Sequence, residues 1–189
     1  MNILWDFDGT IFDSYPVFTK IMKQNFLQHI SEENIYRKLK VSYAHAIQYF
    51  HLSDTQMNSY YEILNQTPAE EFKPFNGVEK ILAYANKNVI MTHSKRAYIN
   101  RILSYYGWEK YFDDMVAGDD GFPRKPDPAS YQYLHRSHSI DMVIGDRLLD
   151  LIPGKKIGAK TCFFKNNEPG ADFYLEDYQN FFEMMQVKS

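Results

Sequence analysis

Short continuous apolar runs alternate along this chain with stretches whose apolar residues recur at helical spacing. Ile3-Leu4-Trp5, Val89-Ile90-Met91 and Met142-Val143-Ile144 carry no polar break. That is the pattern of strands buried on both faces of a parallel sheet. Strands are predicted at 2–6, 88–92, 114–117, 141–145, 160–164 and 172–175. Helical patterns fill the gaps. Val78, Ile81, Leu82 and Ala85 share a face after Gly77, and Tyr98, Ile102 and Tyr105 do the same, with Gly107 as a stop. Asp127-Pro128 reads as an N-cap followed by proline at the first helical position. Beyond Asp150, Pro153 is tolerable only near a helix start, so the regular helix is expected to begin close to it.

One region breaks the alternation. Across 14–75 the pattern is helical throughout: Phe18, Met22 and Phe26 repeat at helical spacing, and further helices are predicted near 31–39, 42–50 and 54–66. Pro68 and Pro74 punctuate the return. The expected organisation is an α/β core with a parallel sheet, built from 1–13 and 77–189, interrupted by a helical block at 14–76.

Composition narrows the class. With 189 residues there is room for one good core, or for a core with a small inserted partner. Hydrophobic residues make up 44%, which argues against disorder. No run approaches the roughly 18 apolar residues of a membrane span, and no signal peptide is visible, so no membrane partner and a cytoplasmic location are expected. Cys162 is the only cysteine and lies in an apolar stretch, so it reads as a buried core thiol. The net charge of −3 comes without a basic block, and nucleic acid binding is not suggested.

Candidate chemistry collects at the ends of the predicted strands. Asp6-Phe7-Asp8-Gly9-Thr10 follows Ile3-Leu4-Trp5, and i and i+2 on an extended segment point to the same side. Two such carboxylates at a tight turn could hold a hard cation and attack a phosphorus centre. The second run ends in Thr92-His93-Ser94, Lys125-Pro126-Asp127-Pro128 precedes a helix start, and the run through Gly145 ends in Asp146 and Asp150. These supply phosphate-binding hydroxyls, a cation and further acids. Each has a plainer reading: Thr92 as a helix cap, Asp146 and Asp150 as strand-end or helix-start acids, His93 as an orienting or exposed residue.

In this order and spacing the four motifs resemble the haloacid dehalogenase-like superfamily, in its phosphoglycolate phosphatase-like branch. The resemblance implies a Rossmann-like core and makes the helical block a small cap. It implies a Mg²⁺ cofactor held by Asp6, Asp146 and the backbone carbonyl of Asp8, with Asp150 near the metal or holding the lysine. Lys125, rather than the adjacent Arg124, matches the family motif as the cation balancing nucleophile and phosphate.

The expected activity is phosphatase action on a small phosphorylated metabolite. Asp6 would be the nucleophile, forming an aspartyl-phosphate, and Asp8 the general acid and then base. Gly9, Thr10, Thr92, His93 and Ser94 would face the substrate. Gly9 would allow the turn, and the N–H groups around Phe7 to Thr10 would face the phosphate. A sugar phosphomutase resembling β-phosphoglucomutase is the alternative enzyme. That branch carries a cap histidine where Phe18 stands here, although His29, His45 or His51 could substitute. A phospho-ligand binding protein without turnover is a third class, and the intact acid and lysine set weighs against it. Tyr15, Tyr43 and His45 are possible cap contacts to substrate. Oligomeric state is not legible.

Overall fold

The structure is a computed structural model and describes residues 1–186. In chain order its elements are β1 (Asn2–Trp5), β2 (Phe12–Asp13), α1 (Tyr15–Asn25), α2 (Glu32–Val41), α3 (Tyr43–Tyr49), α4 (Asp54–Gln66), β3 (Lys73–Pro74), α5 (Val78–Tyr84), β4 (Lys87–Met91), α6 (Arg96–Tyr106), β5 (Asp114–Val116), α7 (Ala129–His138), β6 (Met142–Gly145), α8 (Leu148–Lys156), β7 (Lys160–Phe164), β8 (Phe173–Leu175) and α9 (Phe181–Gln186). Short 3₁₀ turns precede β3, β5 and α9. The chain divides into two compact units, Met1–Phe12 with Pro74 onward, and Asp13–Lys73.

The first unit is α/β. Its six strands lie in the order β5-β4-β1-β6-β7-β8, with every pair parallel. Residues 3–5, 89–91, 142–145 and 161–164 are buried throughout, as a sheet covered on both faces requires. Leu4, Val89, Met91, Val143 and Phe163 meet Tyr131 and Leu134 of α7 and Leu151 of α8 in one core cluster. One set of polar groups inside the core is paired through Asn88. Trp5 Nε1 donates to Asn88 Oδ1 at 2.9 Å, and Asn88 Nδ2 donates to the Leu82 carbonyl.

The strand order reverses at β1. The chain runs outward through β4 and β5, then returns to the far side of β1 with β6, β7 and β8. In open parallel sheets this reversal leaves a crevice at the C-terminal strand ends, the usual place for a ligand. Asp6 follows β1, Thr92 follows β4 and Asp146 follows β6, so the reversal brings those three chain segments to one edge.

The second unit is helical. Ser31 and Ser42 cap α2 and α3 by accepting from Asn34 N–H and His45 N–H, and Ser53 with Gln56 forms a capping box at α4. Its interior includes Phe18, Met22, Ile35, Leu39, Tyr60 and Leu64. Tyr15 packs on Phe18 and Tyr36, Tyr43 on Tyr60 and Tyr61, and the His45 ring stacks on Tyr49.

Two helix starts differ from expectation. Pro128 is itself the cap residue of α7, which begins at Ala129, and Asp127 Oδ1 accepts the Ala129 N–H from one position further back. Helix α8 begins at Leu148 rather than near Pro153, which sits inside it. Asp150 Oδ2 accepts the Arg147 N–H and so organises the first turn upstream of the proline. Among the described residues no helix is long and apolar enough to cross a membrane.

Candidate active site

Asp6 continues the sheet by one residue, since its N–H donates to the Ile144 carbonyl at 3.0 Å. The chain then turns sharply. Gly9 takes a φ of +83°, a left-handed value that costs glycine little. Gly9 N–H donates to the Phe12 carbonyl, and Thr10 N–H to the Phe7 carbonyl. Those two amides close the turn rather than face an anion as expected, because a loop this tight uses its own donors. The Thr10 hydroxyl is fully buried and donates to Asp6 Oδ2 at 3.4 Å, so it braces the carboxylate instead of reaching outward. From the far end of the unit, the Tyr178 hydroxyl donates to the Thr10 carbonyl at 2.9 Å and holds the turn.

Lys125 arrives from the loop after β5. Its side chain has no exposure, and Nζ lies 2.6 Å from Asp6 Oδ1 and 2.8 Å from Asp150 Oδ1. Burial favours the neutral amine, but the two carboxylates outweigh it and hold Lys125 above its ordinary range. The same cation, with Arg147, holds Asp150 below the usual carboxylate range despite its burial. For Asp6, burial and the neighbouring Asp150 charge prevail and push its carboxyl upward against Lys125 and Arg147. Arg124 is exposed, so the lysine at the site is Lys125.

One oxygen from each of Asp6, Asp146 and Asp150 lies within 4.8 Å of the others, and all three residues are buried. The donors are hard oxygens with no histidine or thiolate among them, which suits Mg²⁺ rather than zinc. The Asp8 carboxylate stands outside this group and is held elsewhere. Ser94 Oγ donates to its Oδ2 at 2.5 Å, and the Tyr98 hydroxyl to its Oδ1 at 3.0 Å.

The second motif does several jobs. The Thr92 N–H continues the sheet to the Val116 carbonyl, and its buried hydroxyl accepts from Ser94 N–H at 3.1 Å. Thr92 does not cap α6, which starts after Lys95. His93 Nε2 accepts the Lys125 backbone N–H at 2.8 Å, which places it as a support for the lysine loop. Burial, with Lys125 and Arg124 nearby, lowers its pKa to about 3, so the ring is neutral and available as an acceptor.

Several site residues lie outside the expected set. Tyr98 has the spacing of a core residue on α6 and is indeed buried, but its hydroxyl reaches Asp8. Arg147 stands inside the fourth motif and turns its guanidinium toward the acids, 3.9 Å from Asp6, 3.6 Å from Asp146 and 3.6 Å from Asp150. Asn166 Nδ2 donates to the Asp146 carbonyl at 2.9 Å. Two glycines are required by close approach. A Cβ on Gly145 would stand 2.5 Å from Asp150 Cβ, and one on Gly118 would stand 2.1 Å from the His93 carbonyl oxygen.

Comparison with known proteins agrees with this geometry. The family model described as haloacid dehalogenase-like hydrolase matches residues 3–164. A Clostridium perfringens protein, provisionally named pyrophosphatase PpaX, is 26% identical, with 92% of each chain covered. A phosphoglycolate phosphatase of Psychrobacter arcticus is 22% identical over 84% of this chain and 80% of its own. In fold, the chain is similar to a crystal structure from Lactobacillus plantarum, provisionally named a phosphoglycolate phosphatase, with a TM-score of 0.83 and 15% identity over 97% of this chain and 98% of that one. The chain belongs to the haloacid dehalogenase-like hydrolase family.

Proposed function

We propose that this member of the family is a Mg²⁺-dependent phosphatase that hydrolyses a small phosphorylated metabolite through a phosphoryl group carried on Asp6. The observation that carries this reading is the Lys125 ammonium, 2.6 Å from Asp6 Oδ1 in a fully buried setting, beside two further acids. An anionic nucleophile and an anionic phosphate repel, and Lys125 offsets that repulsion where they meet. Mg²⁺, held by Asp6 and Asp146 with the Asp8 carbonyl, would neutralise further phosphate charge and orient it. Asp150 serves by fixing Lys125, since its Oδ1 is already committed there.

The reaction runs in two displacements. A carboxylate oxygen of Asp6 forms a bond to phosphorus as the ester P–O bond breaks, and Asp8 gives its proton to the departing oxygen. Water then attacks phosphorus, Asp8 takes the proton from it, and the acyl-phosphate bond breaks to return Asp6 and release phosphate. Thr92 and Ser94 are the hydroxyls assigned to phosphate, Ser94 being also the one that holds Asp8. The helical unit, inserted just after the nucleophile loop, is assigned substrate selection as a cap. A cytoplasmic setting fits a chain whose one cysteine, Cys162, is a free buried thiol.

The name phosphoglycolate phosphatase recurs among the curated relatives, which supports a small phosphorylated acid as substrate. Phosphate release from phosphoglycolate, sugar phosphates, nucleoside monophosphates and pyrophosphate, with Mg²⁺ and with chelator, tests the reading. Mg²⁺-dependent release lost in Asp6→Asn supports it, and release that ignores Asp6→Asn overturns it.

A further inference from the structure

Arg147 sits where a cofactor cation and an arginine would compete. Its guanidinium lies within 3.9 Å of an oxygen on each of Asp6, Asp146 and Asp150, the same three acids whose oxygens cluster within 4.8 Å. Among the described residues two cations attend this cluster, and they are held differently. Lys125 touches its acids at 2.6 and 2.8 Å and has no exposure. Arg147 stands at 3.6 to 3.9 Å, and its side chain is 13% exposed, so it has a way out to solvent. Its backbone is pinned, because Arg147 N–H donates to Asp150 Oδ2 at 3.0 Å.

A divalent ion held by Asp6 and Asp146 would stand against the guanidinium in a buried site where the two charges are poorly screened. We propose, on the reading of this cluster as a divalent-cation site, that Arg147 is its resident counter-ion in the metal-free protein, that the metal displaces it, and that Arg147 thereby sets the metal affinity. The arginine offsets part of the charge of the three buried acids when no metal is present, and each binding event must move it. Removing it should tighten metal binding, although removing a cation from an acidic site also leaves the metal-free form less stable.

Isothermal titration of wild type, Arg147→Ser and Asp146→Asn with Mg²⁺, in the absence of substrate, tests this. The expected result is binding about tenfold tighter in Arg147→Ser than in wild type, the scale of effect that residues behind metal ligands usually have, with binding weakened in Asp146→Asn. Binding by wild type with equal or weaker affinity in Arg147→Ser overturns the role of Arg147 and leaves the metal site standing. No binding by either protein at millimolar Mg²⁺ overturns both. If Arg147→Ser does not fold, the side-chain nitrogen resonances of Arg147 in the wild-type protein report directly. They should move on Mg²⁺ addition, and resonances unchanged at saturation overturn the proposal.

Discussion

The Tyr98 hydroxyl donates to Asp8 Oδ1 at 3.0 Å, across two elements separated by ninety residues of chain. With Ser94 Oγ on the other oxygen, it fixes the plane of the carboxyl group proposed to move the proton. A side chain held in this way reaches the leaving oxygen without first being ordered, which is where positioned acids gain rate.

Tyr98→Phe tests that orientation. The ring still fills its place beside Phe7, whose centroid is 6.2 Å away, so the fold should survive. Loss of one hydrogen bond is worth about 0.5–1.5 kcal/mol, or roughly two- to tenfold in kcat. KM should change little. Steady-state kinetics on the best substrate gives the comparison, and an effect on KM alone would contradict a role in orienting Asp8.

Removal of the lysine should be far more costly than removal of a surface charge. Lys125→Met leaves Asp6 and Asp150 buried without their shared cation. Breaking a buried pair in this way costs about 3–5 kcal/mol. Urea unfolding with chelator present should show a loss of that size, and turnover should vanish. A variant as stable as wild type would mean that the acids are not charged together in the folded chain.

His93 gives a pH dependence with a definite sign. Its pKa falls to about 3 in the fold, from an ordinary value near 6.5. Between those values the unfolded chain binds a proton that the folded chain refuses. Stability from this group is therefore full above about pH 6.5 and declines as pH falls toward 3, by at most about 1.4 kcal/mol per pH unit. Urea unfolding at pH 7, 6 and 5 should show a shallower decline for His93→Gln than for wild type. Equal slopes would contradict a neutral His93 accepting from Lys125 N–H.

Gly145→Ala should disable the site without touching a reacting group. The added Cβ would meet Asp150 Cβ at 2.5 Å and push it from Lys125. Overpacking of this kind costs about 1–3 kcal/mol. A crystal structure of the variant should show Asp150 displaced, with activity reduced in proportion. Unchanged activity would mean that Asp150 need not hold the lysine.

The strands and the acids at their ends are legible in the sequence because both are local signals. An unbroken apolar run such as Val89-Ile90-Met91 has few places to go but a covered sheet, and the residue after it must then stand at the sheet edge. Tyr98, Arg147, Gly118 and Gly145 are not legible in that way. Their roles depend on what another element brings near them, and Tyr98 at helical spacing is indistinguishable from a residue that only packs. Pro153 misleads for a related reason: the turn that starts α8 is organised by a side chain, Asp150, which overrides the usual place of proline.

The central claim is that phosphate passes through Asp6. Rapid acid quench of the enzyme during turnover of its best substrate, followed by mass spectrometry of the peptide containing Asp6, measures this directly. The expected result is a peptide heavier by one phosphoryl group, with the modification on Asp6 and absent from Asp6→Asn. Steady turnover with a phosphoryl group on another residue, or continued turnover by Asp6→Asn, would contradict it.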